Sequence, residues 1–196
     1  MVTTAPNPIV ASTDAGLVSL RRFNIPATNI TSADDFRKFL DWAKTSAGQE
    51  FKTLAIDDLS EFADIVLREE LAKTKHALQA YGKMAEIVMA FCRELRDWNT
   101  GQFVYMIAKL DKVLDATTGG MIYGPMFPGR VIAPHIPYLF DELYFVNSST
   151  DPQTGAFQNS VLTRRNPQYE AKTRSDTLAV YEPAHLQHIF TKIAAG

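Results

Sequence analysis

The sequence is poor in cysteine, in long apolar runs and in any excess of one charge. Its 196 residues include one cysteine, Cys92. That excludes an internal disulfide and fits a reducing compartment, so the cytoplasm is the expected location. No stretch of about 18 consecutive apolar residues occurs, which argues against a membrane-spanning helix. The opening MVTTAPNPIVAST has no basic segment ahead of an apolar one and does not read as a signal peptide. Lysine and arginine number 20 against 22 aspartates and glutamates, a formal net charge of −2. No global field therefore draws the chain onto nucleic acid, and any such contact has to come from a local patch. With no internal repeat or low-complexity tract, and with 46% hydrophobic residues, residues 1–196 read as a single domain able to bury a core.

Apolar runs alternate with amphipathic stretches, which predicts an α/β fold with a mostly parallel sheet flanked by helices. NPIVAS reads as a strand ending at Thr13-Asp14-Ala15-Gly16. Ser32 is a good helix N-cap, and Phe36, Phe39, Leu40 and Ala43 behind it predict a helix over about 32–45. FKTLAID is the next strand, and a helix begins at Leu59 and reaches at least Glu70. From Tyr81 to Trp98 a helix carries Met84, Ile87, Val88, Phe91, Leu95 and Trp98 on one face. Cys92, beside that stripe, is expected in the core. QFVYMIA reads as a buried strand, followed by a glycine- and proline-containing stretch from Lys109 to Gly129. ELYFVN and AFQNSVLTR flank DPQTG, which predicts a C-terminal β-hairpin turning at Asp151 to Gly155. A last helix is expected with Pro183 at its first turn, carrying Leu186, Ile189, Phe190 and Ile193.

Three of the strands end in polar residues: Asp14, then Asp57 and Asp58, then Lys109. In open parallel sheets, ligands bind beyond the carboxyl ends of the strands. One carboxylate there can hold Mg²⁺ through its waters, and a second can orient an attacking water. The competing reading is that Asp57 or Asp58 simply caps the following helix. What the chain lacks is a G-x-x-x-x-G-K-[ST] run, whose amides, lysine and hydroxyl would hold phosphates and the cation. His185 and His188 stand i, i+3, but without a third ligand nearby they read as a solvated or partly packed face. His76 and His135 have no partner motif, and no nucleophile elbow, Cys–His pairing or zinc-ligand spacing occurs.

Several segments together carry a resemblance: TTGGMIYGPMFPGR with IAKLDK before it and LFDELYFV after it, then PIVASTDAGLVSL, TLAIDDLSEFADIVLREEL, QAYGKMAEIVMAF and YEAKTRSDTL. In that combination the chain resembles phage-encoded RecA-like ATPases of the single-strand-annealing type, within the P-loop NTPase superfamily. The resemblance implies a RecA-like core that assembles as a homo-oligomeric ring or filament. It further implies ATP and Mg²⁺ between neighbouring subunits, and single-stranded DNA as a partner. Asp57 matches the Walker B aspartate that holds the metal, with Asp58 beside it. Asp14 falls where such proteins usually carry a glutamate that polarises the attacking water, and is shorter by one methylene. Lys109 occupies the position that senses the γ-phosphate. Residues 110–127 match the mobile loop that grips single strands, with Thr118, Gly119 and Gly120 at its centre; glycine reaches backbone angles closed to other residues. Lys172 and Arg174 look like the element that reaches a neighbour's γ-phosphate, a role worth about 10³ to 10⁵ in rate. By residue type alone, KTR is a solvated basic tripeptide. Lys109, Lys112 and Arg130 flank a loop carrying Tyr123 and Phe127, so cations for phosphates alternate with rings for bases, and stacking contributes about 1–3 kcal/mol per base. The competing reading folds Tyr123, Met126 and Phe127 back onto the core or a neighbouring subunit.

One departure stands out. Relatives of this kind begin with a strand, a P-loop and a helix, whereas here about eight residues precede PIVASTDAG. A strand missing from within the sheet leaves its neighbours with unpaired backbone groups, each costing about 1–3 kcal/mol where buried. The chain is then a truncated product, a piece completed by another polypeptide that supplies strand and P-loop, or a remodelled relative without ATPase activity. The expected function is a recombination protein that binds single-stranded DNA and promotes annealing or strand exchange, ATP-linked only if a P-loop comes from elsewhere. The alternatives are a catalytically inactive RecA-like oligomerisation or interaction module, and a different nucleotide-dependent motor.

Overall fold

The computed structural model describes residues 1–14, 16–115, 118–150 and 153–196. Its centre is a four-stranded parallel sheet ordered β2-β1-β3-β4, formed by β1 (Pro8–Ser12), β2 (Ala27–Asn29), β3 (Thr53–Asp57) and β4 (Phe103–Met106). β1 and β3 pair along their whole length, from Pro8 opposite Thr53 to Ser12 opposite Asp57. Both are apolar at successive positions rather than alternate ones, because a parallel sheet covered on two faces buries every residue.

On one face, Ile9, Ala11, Leu54 and Ile56 meet three helices, α1 (Ala33–Ala43), α2 (Leu59–Lys73) and α3 (Ala77–Arg96). Phe36, Phe62 and Phe91 lock the helices together, with ring centroids 4.5, 5.0 and 5.3 Å apart. The expected caps and stripes are present: the Ser32 hydroxyl accepts from the Asp35 N–H at 3.0 Å, and Met84, Val88, Phe91, Leu95 and Cys92 are buried. Burial pushes the Cys92 thiol up to about 12, so it stays protonated and inert. On the other face, Val10 and Ala55 are covered by Val2, Leu20, Leu17 and Ile25 from the irregular segments around β1.

The second half departs from the sequence reading in two places. The stretch from Leu110 to Phe127, expected as a mobile loop, forms in large part an antiparallel hairpin of β5 (Leu110–Leu114) and β6 (Met121–Pro125). Gly119 supplies the positive φ of 71° at its turn, and the Asp115 N–H donates to the Gly120 carbonyl at 2.8 Å. Pro183 does not start the last helix: it ends β9 (Tyr181–Pro183), and α5 (Leu186–Ala194) begins after His185, whose ring nitrogen accepts from the His188 N–H. The expected C-terminal hairpin is present as β7 (Phe145–Thr150) and β8 (Phe157–Leu162), with β9 as a third strand. Asp151 and Pro152 of its expected turn lie outside the described residues, as does Ala15. A short helix, α4 (Ile136–Leu139), completes the helical core. The whole is the mostly parallel RecA-like arrangement implied by the resemblance. Among the described residues, no helix is long and apolar enough to cross a membrane.

The aromatic lock yields a stability prediction. Phe62→Ala empties the middle of the cluster and is expected to cost about 3–5 kcal/mol, read as a lowered midpoint in urea unfolding.

Candidate functional site

The carboxyl ends of the central strands are stitched into one ledge. The Thr13 N–H donates to the Asp57 carbonyl at 2.8 Å, and the Thr13 hydroxyl both donates to the Asp58 carbonyl and accepts from the Asp58 N–H, each at 2.9 Å. The Asp57–Asp58 peptide is cis. Beyond β4, the Ile107 N–H donates to the Ile56 carbonyl at 3.0 Å and the Leu59 N–H to the Ile107 carbonyl at 2.8 Å. The Lys109 N–H donates to the Ser60 hydroxyl at 2.9 Å, which donates in turn to the Met126 carbonyl at 2.7 Å. Thus Asp14, Asp57, Asp58 and Lys109, far apart in sequence, share one end of the sheet.

Their roles separate. Asp58 is 5% exposed and is the N-cap of α2, accepting from the Glu61 N–H at 2.6 Å. That geometry is the helix-cap reading, realised at the second aspartate. Asp57, half-buried, has its carboxyl raised above the usual range, first by burial and then by the charges of Asp14 and Asp58, with the N-terminal ammonium opposing. Asp14 accepts at one oxygen from the Gly16 N–H at 2.8 Å and the Ser12 hydroxyl at 3.3 Å. The Lys109 ammonium pairs with Glu61 at 2.7 Å, and this hydrogen bond raises its pKa. Glu61 was missed from sequence, although Asp58-x-x-Glu61 has the form of a capping box and puts Glu61 on the first turn.

Does this ledge suit the implied cation? Asp57 and Asp14 are hard oxygen donors whose mutual repulsion a divalent ion would relieve, and that chemistry fits Mg²⁺. Among the described residues, no group of three or more His, Cys, Asp or Glu is placed to hold a metal. A cation here would therefore complete its shell with water and phosphate oxygens, as Mg²⁺ commonly does. The phosphates themselves need donors of a kind that no G-x-x-x-x-G-K-[ST] run in this sequence provides.

The expected DNA-binding residues divide. Lys112 is exposed, with its ammonium 5.6 Å from the Tyr123 ring centroid. Tyr123 stacks on Tyr169 at 5.5 Å, and Tyr169 on Phe145 at 3.8 Å, so the Tyr123 ring already has a partner within the chain. Phe127 is 7% exposed and belongs to the helical core, which corrects its placement as a surface ring. Arg130 is exposed. Thr118, Gly119 and Gly120 sit at the hairpin turn, where the Thr118 hydroxyl and the Arg165 guanidinium both donate to Asp115.

Lys172 and Arg174 lie apart, on the segment bridged to Leu143. The Lys172 ammonium donates to the carbonyls of Pro137 and Phe140, and burial together with Arg174 lowers its pKa. Arg174 is exposed and pairs with Asp141 at 2.7 Å. Lys172, as placed, anchors α4 and its C-cap Phe140, and Arg174 remains on the surface.

A family model described as an AAA domain matches residues 1–175. The chain belongs to this AAA domain family. A search of curated proteins found no match. Membership makes the chain a P-loop-type, nucleotide-binding ATPase-like module. The AAA match takes in every candidate residue named above, from Asp14 to Arg174, and stops short of β9 and α5.

The two neighbouring aspartates should respond oppositely to substitution. Asp57 has a folded-state pKa above its unfolded value, so its ionisation weakens the native state as pH rises through the folded pKa. Asp57→Asn is therefore expected to raise Tm at pH 7, by about 2–4 °C for each kcal/mol gained. That advantage should vanish below about pH 4, where the unfolded carboxyl is also protonated. Asp58→Ala loses the cap and should cost about 0.5–2 kcal/mol. Thermal melts across pH distinguish the two.

Proposed function

We propose that the chain is the metal-holding part of an ATP-linked, RecA-like module that acts on single-stranded DNA as a homo-oligomer, in annealing or strand exchange. The observation that carries it is Asp57, raised in pKa beside Asp14 at the carboxyl end of the central strand. A half-buried carboxylate with a second, exposed carboxylate beside it is costly unless a cation uses it. Asp57 would hold Mg²⁺, Asp14 would orient the attacking water, and Lys109 would answer the γ-phosphate from the adjoining strand end. The phosphate-binding loop would come from another polypeptide segment. Lys112 and Arg130 supply exposed cations for a nucleic-acid backbone. A second reading, a catalytically inactive oligomerisation or interaction module, is favoured by Lys172, whose ammonium is turned onto carbonyls of its own chain.

Titration with a fluorescent ATP analogue and Mg²⁺ tests the ATP-linked function. Saturable binding that is lost in Asp57→Ala is expected, and no binding at millimolar nucleotide, with or without a partner supplying the loop, would leave the interaction module. For DNA, affinity for an oligonucleotide should fall steeply with salt. Replacing Lys112 and Arg130 together by alanine should lower the slope of log K against log[salt] by about 1.4, that is about 0.7 for each phosphate contact. An unchanged slope would remove both residues from the interface.

A further inference from the structure

Two stretches of the chain contain no aspartate or glutamate: Leu71 to Ala85, and Met121 to Phe140. They meet on the surface of α3. Phe127 and Ile132 are buried in the helical core and pin the turn between them against the helix. Gly129, at a φ of 76°, lies so close that a Cβ there would stand 3.2 Å from the Tyr81 ring. Lys73 and Lys83 are answered by Glu70 and Glu86, just outside the first stretch. Lys75 and Arg130 are exposed, and among the described residues neither has a carboxylate partner. α3 also opens here without a side-chain cap and without an acid in its first turn. Its free amides and the positive end of its dipole add to the same field.

This cationic surface is also apolar. Leu78 is 87% exposed, Val131 56% and Tyr81 39%. Leu78 and Tyr81 stand i, i+3 on α3, and Val131 leaves the turn that Gly129 presses onto Tyr81. Gly82 lies i+4 from Leu78, and a Cβ there would meet nothing within 4 Å. Glycine inside a helix is destabilising relative to alanine, so this notch is kept at the expense of α3.

We propose that the first two turns of α3 and the 129–131 turn form a docking surface for an acidic peptide segment with apolar anchors. An apolar side chain of the segment enters the notch at Gly82 and covers Leu78. Its carboxylates meet Lys75, Arg130 and the open amides of α3. Charge complementarity selects the acidic partner. The branched side chains of Leu78 and Val131 select a peptide over a nucleic acid, because bases bind by stacking on flat rings. Arg130 can serve either partner, so Lys75, Leu78 and Gly82 decide.

The test uses the whole chain and a fluorescein-labelled peptide with leucines at i, i+3 and i+7 and glutamates elsewhere, without nucleotide or DNA. One twin replaces every glutamate by lysine, and another replaces every leucine by serine. Saturable binding by anisotropy is expected, weakened about tenfold or more in either twin. Gly82→Glu fills the notch and adds a repelling charge, yet glutamate is the better helix former. Its Tm should hold or rise while affinity for the acidic peptide falls about tenfold or more. Lys75→Glu should weaken the acidic peptide and strengthen the lysine twin, a reversal that misfolding cannot produce. No binding, indifference to either twin, or full affinity in Gly82→Glu would each overturn the proposal. So would Lys75→Glu losing oligothymidine while keeping the peptide, which would give the surface to nucleic acid. A dimer of the bare chain abolished by Gly82→Glu would give it to a second copy instead, and would equally overturn the proposal. Since the peptide assay contains neither nucleotide nor DNA, failure of the ATP-linked function would leave its outcomes unchanged.

Discussion

The register of β1 against β3 governs the rest of the molecule. Ser12 opposite Asp57 brings two strand ends level, and Thr13 then has both a backbone N–H and a hydroxyl within reach of the Asp57–Asp58 backbone. A slip of one residue would turn either Ile9 and Ala11 or Leu54 and Ile56 off the helical face, because side chains alternate with a period of two. The same slip would separate Asp14 from Asp57. Core and site are consequences of one pairing, which is why a short buried strand pair can position carboxylates 43 residues apart in sequence.

That placement has an electrostatic cost, unevenly shared. Asp58 meets a helix N-terminus, where backbone amides welcome a negative charge. Asp57 meets burial and two other carboxylates, and its proton is held more tightly as a result. Structural aspartates resemble the first case; a pair resembling the second needs a positive partner. Lys109 does not fill that need directly, since its ammonium is committed to Glu61. The charge at Asp57, offset only in part by the N-terminal ammonium, is the physical basis for proposing a cation there.

What was legible in the sequence was local. Ser32 and Asp58 declared helix starts through side-chain geometry, and the stripes of α1 and α3 declared which faces are buried. The apolar runs of β1, β3 and β4 were equally plain. The β5–β6 hairpin was not, because its glycines and prolines mask an alternation in which Leu110, Lys112 and Leu114 lie opposite Pro125, Tyr123 and Met121. For Phe127 the sequence left a surface ring and a core ring equally open, since nothing adjacent says that the helical core lies beneath it. Lys172 was unreadable for the same reason: its carbonyl partners stand 35 and 32 residues away. Residue type announces a basic group, but only the tertiary path decides whether that group meets solvent, a phosphate or the chain's own carbonyls.

The free side of β4 brings these strands of reasoning together. Sheets usually guard an edge with charge, proline or a bulge, because unpaired backbone groups recruit other strands. Phe103–Met106 carries none of these devices. It is instead enclosed: α3 and α4 on one side and α5 on the other line a cavity of about 630 Å³ beside it. Two apolar clusters facing each other across an empty slot lose the contacts that would otherwise form between them, since water satisfies the backbone but not the side chains.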